Sequence, residues 1–185
     1  VTIPYKESIM KYLDEIDDDA KIIGAVNTIK INEDNELIGY NTDFYGFKES
    51  LTPLLKEHHK KALILGTGGA SKAIAFAFKQ LNIEYKFVSR KVSDTSYLYS
   101  MLTESILNEY SIIVNCSPIG THPNIGDAPN IPYQFISEKH LLYDLIYNPS
   151  ETKFLQEGKR RGAQIKNGLQ MLELQAEKSW EIWNS

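Results

Sequence analysis

The stretch "KALILGTGGASKAIAFAFKQ" (residues 61–80) decides how the chain is read. "KALIL" is an apolar run too short for a helix and ends on a glycine, which marks a buried strand. "GGASKAIAFAFKQL" is a helix rich in Ala, Phe and Ile. Gly66, Gly68 and Gly69 lie directly between the two. Glycines there permit a tight turn and let the backbone approach a pyrophosphate, while the helix N-terminus offers free N–H groups and a partial positive charge. The generic G-x-G-x-x-G pattern is incomplete, because Ser71 stands in the third glycine's place. Glycines also serve plain strand-to-helix turns. The strand-to-helix context nonetheless favours a dinucleotide site, with Gly66, Thr67, Gly68, Gly69 and Ala70 lining it.

The next strand, "EYKFVSR", bears on which dinucleotide. An NAD site carries an acidic residue about 20 residues past the glycines to bond the ribose 2′-hydroxyl. Here Ser89, Arg90 and Lys91 stand at the strand end. Two cations and a hydroxyl suit a 2′-phosphate, which a guanidinium can pair bidentately. Basic strand ends also occur simply as solvated surface. Taken with the glycine turn, the triplet favours NADP(H).

Further along come a polar stretch, a weaker helix over about 97–108, and two strand-like runs, "SIIVNCS" and "HLLYDLIY". This is the βαβ rhythm of a parallel sheet covered by helices. Towards the N-terminus, "VNTIKINEDNELIGYNTD" reads as two short strands around a polar turn, Asn32 to Glu36, hence a hairpin. "FYGFKESLTPLL" has helical spacing at Phe44, Phe47, Leu51 and Leu54/Leu55. The charged "KEHHKK" at 56–61 reads as a linker, and "GLQMLELQAEKSWEIW" as one long amphipathic helix.

Composition narrows the function classes. The chain of 185 residues has a net charge of −4 and no Lys/Arg-rich stripe, which argues against nucleic acid as a partner. One cysteine, Cys116, excludes an intrachain disulfide framework and suits a reducing compartment. No apolar run approaches the roughly 20 residues that span a bilayer, and no signal-peptide pattern opens the chain. A soluble cytoplasmic protein with no membrane partner is expected. His58, His59, His122 and His140 lack metal-ligand spacing, so no metal is expected.

Several separate motifs together resemble those of the shikimate dehydrogenase family. "VTIPYKE" (1–7) is similar to its N-V-T-x-P-x-K segment, and "GAVNT" (24–28) and "GYNTD" (39–43) to its next two signatures. "GTGGASKA" resembles G-A-G-G-A-x-x-A, "NCSPIG" (115–120) N-x-[ST]-P-x-G, and "YDLIYNP" (143–149) D-x-x-Y-x-P. "NGLQMLELQA" (167–176) matches the closing G-x-x-M-L-x-x-Q-A. All run in family order along the chain.

The resemblance implies a two-domain α/β enzyme that reduces 3-dehydroshikimate to shikimate with NADPH in aromatic amino-acid biosynthesis. Its fold would be a Rossmann-like doubly wound parallel sheet plus the remainder of a truncated α/β substrate-binding domain. The division expected is 1–45 for the substrate domain, 46–60 for a connecting helix and linker, 61–162 for the NADP domain, and 163–185 for a segment returning to the substrate domain. Carried over by position, Lys6 and Asp43 are the catalytic pair, and Thr2, Asn27 and Gln175 hold substrate hydroxyls. Tyr147 shapes the pocket between the domains, and Ser117, Ile146 and Gly168 line the cofactor. The partner is a small molecule, and the protein is expected as a monomer or homodimer.

The chemistry suits these residue types. Hydride reduction of a ketone leaves an oxyanion that must be protonated or held electrostatically. A lysine ammonium does either, and an adjacent carboxylate orients it. Taken alone, Lys6 also reads as surface charge, Asp43 as the N-cap of the helix it precedes, and Asn27 as a turn residue. Gln175 falls inside an apolar stripe with Leu169, Leu172, Ala176, Ile182 and Trp183. A buried amide needs partners, so it bonds nearby backbone or faces a polar ligand. Cys116 lacks the partners of a nucleophile and reads as a small packed residue.

Three departures from the family stand out. "SRK" replaces N-R-T, which leaves room for relaxed cofactor choice, and Thr121 stands where Met is common after "SPIG". The family's N-terminal segment, with its S-x-S carboxylate site, is not in this sequence. The chain is therefore expected to be a fragment, with strand edges unpaired, that binds NADPH but turns over poorly. The competing readings are a broader quinate/shikimate dehydrogenase and a non-catalytic NADP-binding module.

Overall fold

Short, half-exposed strands build one sheet of this protein, and continuous buried runs form the middle of the other. The structure is a computed structural model and describes residues 1–2, 4–91 and 96–185. The chain forms two compact units.

The first unit comprises Val1–Leu54, Gly69–Leu81 and Gln170–Ser185. Its sheet has the order β1 (Glu15–Ile16), β3 (Leu37–Tyr40), β2 (Thr28–Ile31), with β1 parallel and β2 antiparallel to β3. The β2–β3 hairpin forms as expected, and its turn is organised by one side chain. Asn32 Oδ1 accepts from the N–H groups of Asp34 and Glu36 at 3.0 and 2.8 Å. Asn35 takes the left-handed conformation that asparagine tolerates (φ 63°). Helix α1 (Asp18–Ile23) is capped by Asp17, whose Oδ1 accepts from Asp19 and Ala20 N–H.

Helix α2 (Asp43–Leu51) corrects one reading: its N-cap position is Thr42, and the side chain that accepts from its first N–H groups is that of Asn41, not Asp43. Asn41 Oδ1 accepts from the N–H of Asp43 at 3.0 Å and of Phe44 at 3.4 Å. Asp43 is the first helical residue, and its carboxylate is free for other partners. Helix α3 (Gly69–Gln80) packs on α2 through edge-to-face pairs Phe44–Phe76 and Phe47–Phe78. Helix α6 (Leu169–Trp183) is oriented differently from its apolar pattern. Its most buried residues are Met171 and Ser179, whereas Leu169 and Trp183 of the expected stripe are exposed. That inward side includes the polar Gln175 and Ser179, whose side chains find hydrogen-bond partners there.

The second unit, Leu55–Gly68 and Asn82–Leu169, holds a six-stranded sheet, parallel throughout. Its strands are β4 (Lys61–Leu65), β5 (Glu84–Ser89), β6 (Ser96–Leu98), β7 (Ile112–Asn115), β8 (Leu141–Asp144) and β9 (Gln164–Lys166). The order β6-β5-β4-β7-β8-β9 is that of a Rossmann-like doubly wound sheet, with β4 and β7 at the topological switch point. Buried runs on β4, β7 and β8 supply the core, with Leu107, Ile131, Phe154 and Leu155 from flanking segments. Among the described residues no helix is long and apolar enough to cross a membrane.

The helix expected over about 97–108 is divided. Residues 96–98 pair with β5, a 3₁₀ turn follows at Tyr99–Met101, and helix α4 covers only Glu104–Glu109. β9 and helix α5 (Lys153–Lys159) have no counterpart in the sequence reading. "KEHHKK" is more than a linker: His59 is buried, its Nδ1 accepts from Lys56 N–H, and burial pushes its pKa down. The units also cut across the expected 61–162 and 163–185 divisions. Gly69–Leu81 groups with the first unit, through the Phe pairs to α2, and Ala163–Leu169 with the second.

Gly46, inside α2, carries a packing constraint. A glycine in a helix interior costs about 1 kcal/mol relative to alanine, so its presence needs a cause. A Cβ there would lie 2.5 Å from Met171 O and 3.0 Å from Gln175 N, in the backbone of α6. Gly46→Ala is therefore expected to destabilise the protein by roughly 1–3 kcal/mol through overpacking, despite its better helix propensity. Urea denaturation beside Gly126→Ala, where a Cβ meets open space, measures the difference.

Candidate active site

Lys6 is not a solvated charge. It follows the turn closed by Tyr5 N–H donating to the Thr2 carbonyl (2.9 Å), and its own carbonyl accepts from Val26 N–H at 2.8 Å. Its Nζ donates to Asp43 Oδ2 at 2.5 Å, with the two side chains only 13% and 3% exposed. A pair so shielded from solvent holds a defined geometry, unlike the loose ion pairs of a surface.

Asn27 joins that pair to the last helix. Its Oδ1 accepts from Thr42 N–H at 2.8 Å. Its Nδ2 donates to Asp43 Oδ1 at 2.9 Å, Thr42 Oγ1 at 3.0 Å and Gln175 Oε1 at 3.3 Å. Gln175 thus meets a side-chain partner rather than the backbone, and its Nε2 retains donors of its own. The first unit brings together Lys6, Asp43, Asn27 and Gln175. Thr2 is exposed in the turn before Lys6. Sequence reasoning missed Thr28, Thr42 and Ser179, whose hydroxyls surround Asn27 and one another at 2.7–3.4 Å.

In the second unit, Gly66 adopts φ +110°, and a Cβ on it would lie 3.5 Å from the Cys116 and Ser117 backbone. Thr67 and Gly68 are exposed, and a Cβ on Gly68 would meet nothing within 4 Å. The turn leads directly into the 12-residue helix α3 at Gly69 and Ala70. Open glycine backbone at the end of a parallel strand fits a pyrophosphate. At the end of β5, Ser89 Oγ bonds Lys91 at both its N–H (3.0 Å) and its carbonyl, which fixes the turn carrying the exposed Arg90 and Lys91. This fits a 2′-phosphate.

The loops after β7 and β8 are tied by a buried pair that sequence reasoning did not single out. Asn115 Nδ2 donates to Asp144 Oδ1 at 3.0 Å and to the Ile119 carbonyl at 3.2 Å. Asn115 Oδ1 accepts from Ser117 N–H and Oγ. Asp144 accepts further from Ile146 N–H (3.1 Å) and Thr152 Oγ1 (2.6 Å). Gly168 closes on the same loop, where a Cβ would lie 2.1 Å from Leu145 O. Ser117, Ile146 and Gly168 are thereby held together, and Tyr147 follows them, 49% exposed. Burial pushes the Cys116 thiol well up, which suits an inert packed residue. Among the described residues no cluster of His, Cys, Asp or Glu could hold a metal.

Burial raises the Asp144 carboxyl to about 6, against the downward pull of the Thr152, Ile146 and Asn115 donors. Between its ordinary value and about 6 the folded protein holds this proton more tightly than the unfolded chain. The associated stability is present below about pH 4 and is lost as pH rises through about 6, roughly 3 kcal/mol in all. Stability of the protein relative to Asp144→Asn should fall by that order between pH 4 and 7, as read from urea midpoints. A pH-independent difference would contradict it.

Comparison with known proteins gives one consistent result. Residues 1–29 match the family described as "Shikimate dehydrogenase substrate binding domain". The chain is 39% identical to the shikimate dehydrogenase (NADP(+)) of Methanococcus vannielii over 99% of its length and 70% of the relative's. The crystal structure of shikimate dehydrogenase from Aquifex aeolicus aligns with a TM-score of 0.87 at 34% identity, covering 100% of this chain and 70% of that one. The enzyme from Thermus thermophilus, solved in complex with NADP(H) and shikimate, gives 0.86 at 31% identity over 98% and 70%. A chain that shares this much sequence and fold with those enzymes belongs to the shikimate dehydrogenase family.

Proposed function

We infer that this protein is an NADP-dependent oxidoreductase that interconverts 3-dehydroshikimate and shikimate, with Lys6 and Asp43 as its catalytic pair. The observation that carries the reading is the shielded 2.5 Å contact between Lys6 Nζ and Asp43 Oδ2, braced by Asn27 on the other carboxylate oxygen. An ammonium has three N–H donors. One is spent on Asp43, and the others are available to a substrate oxygen.

A nicotinamide dinucleotide held at the glycine turn would supply a hydride to the ketone carbon. As the carbonyl π electrons move onto oxygen, Lys6 stabilises the developing charge and gives that oxygen a proton, which solvent returns to the amine. Asp43 holds Lys6 in place and is itself fixed at the first turn of α2. Asn27, Gln175, Thr2 and Tyr147 are read as binding substrate hydroxyls and shaping the pocket. Arg90, Lys91 and Ser89 are read as holding the 2′-phosphate, with Gly66, Thr67, Gly68, Gly69 and Ala70 at the pyrophosphate and Ser117, Ile146 and Gly168 lining the cofactor. The acidic balance and lone cysteine support a cytoplasmic enzyme, and we read its assembly as a monomer or homodimer.

Lys6→Ala is expected to lower kcat by about a hundred- to ten-thousandfold, the range for loss of a general acid, with NADP affinity retained and a lower melting temperature, because the buried Asp43 carboxylate loses its ion-pair partner. A variant within twofold of the parent would reject the assignment. Arg90→Ala should raise KM for NADP by about ten- to a hundredfold, the worth of a hydrogen bond to a charged group, and leave KM for NAD unchanged. Equal effects on the two cofactors would remove Arg90 from the 2′-phosphate site.

A further inference from the structure

Helix α6 touches three consecutive residues of β2 and its approach through every fourth residue of its own. Gln175 Oε1 accepts from Asn27 Nδ2 at 3.3 Å, Ser179 Oγ lies 2.7 Å from Thr28 Oγ1, and Trp183 Nε1 donates to the Ile29 carbonyl at 2.9 Å. Among the described residues β2 pairs with β3, and the Ile29 carbonyl accepts from Trp183. Ser179 has three partners: besides Thr28 it meets Thr42 Oγ1 at 3.1 Å and donates to the Gln175 carbonyl at 2.8 Å.

Core packing does not account for Trp183, whose residue is 52% exposed. Its indole N–H has a defined partner, and that partner is backbone. Gly46 meanwhile sets how closely α6 approaches α2, at Met171 and Gln175, but a close backbone approach does not stop a helix sliding along its axis. The contacts at Ser179 and Trp183 do. The link most sensitive to sliding is Asn27 to Gln175, since 3.3 Å is already at the long end for a hydrogen bond and one residue of helix rises about 1.5 Å.

We propose that Ser179 and Trp183 are positioning residues that hold α6 in the register presenting Gln175 to the substrate, through Thr28 and the Ile29 carbonyl. The proposal rests on the assignment of Gln175 as a substrate-binding residue made above. Neither Ser179 nor Trp183 touches substrate in this scheme. Their loss therefore weakens shikimate binding without altering the chemistry at Lys6 or the cofactor site.

The test compares Trp183→Phe, which keeps an aromatic ring and deletes the donor, Ser179→Ala, their double variant, and Gln175→Ala as reference. Kinetics of NADP-dependent shikimate oxidation are measured for each. Trp183→Phe is expected to raise KM for shikimate about two- to tenfold, the worth of one hydrogen bond, with kcat within twofold and KM for NADP unchanged. Ser179→Ala should do likewise, and the double variant should approach Gln175→Ala. Because Trp183 is exposed, its variant stays interpretable even if Ser179→Ala folds poorly. An unchanged KM for shikimate in the double variant, with a raised one in Gln175→Ala, overturns the register role and leaves the assignment of Gln175 standing. An unchanged KM in Gln175→Ala removes both. Equal losses towards shikimate and NADP would mark a general structural role and also overturn the proposal.

Discussion

One backbone donor settles the orientation of the group at the centre of the site. Thr42 N–H can only donate, so the Asn27 side-chain atom 2.8 Å from it is the carbonyl oxygen, and the amide nitrogen faces the other way. That nitrogen then meets two oxygens that can only accept, on Asp43 and Gln175. Turned over, the amide would set its oxygen against the Asp43 carboxylate. Asp43 is in turn committed on one oxygen to Asn27 and on the other to Lys6. The direction of a single N–H bond thus propagates to the Lys6 ammonium. Thr42 N–H is available for this because Asn41 caps α2 with the next two N–H groups, Asp43 and Phe44.

The second unit uses the same device with a different member at its centre. Asn115, at the end of β7, spends its oxygen on Ser117 and its nitrogen on Asp144 and Ile119. In both units a carboxamide bridges a buried carboxylate and a main-chain turn. Such a bridge is rigid because every polar atom in it is satisfied, and it would be costly if any were not. The difference lies in the charge balance. Asp43 has a lysine beside it, whereas Asp144 has only neutral donors, and burial raises the carboxyl of Asp144 towards neutrality.

Much of this was legible in the sequence where one residue type has one physical use. Gly66, at φ +110°, requires glycine, and the strand and helix flanking it fix the topology of the parallel sheet. The hairpin was legible because Asn32 and Asn35 are turn formers between short strands. Residues with several uses were not resolved. Asp43 at the head of α2 is indistinguishable by pattern from a cap, and only the position of Asn41 shows otherwise. Residues 96–98 carry tyrosine and leucine, which fit either state, and pairing with β5 decides for a strand. The buried face of α6 was misplaced because hydrophobic periodicity has no means of scoring Ser179, a polar residue whose partners sit on other segments of the chain.

The first unit is assembled from three separated lengths of chain, and the bond from Asn27 to Gln175 spans 148 residues. On a ribosome the chain emerges N-terminus first, and domains fold as units during synthesis. The hairpin and α2 are made before the parallel sheet, but the helix that completes their polar network arrives only after the whole of that sheet has been translated. Until then Asn27 and Thr28 lack the partners that Gln175 and Ser179 supply. Assembly of the first unit's network therefore follows synthesis of the second unit, so a nascent chain stalled before residue 170 would carry Lys6 and Asp43 without the helix that braces them.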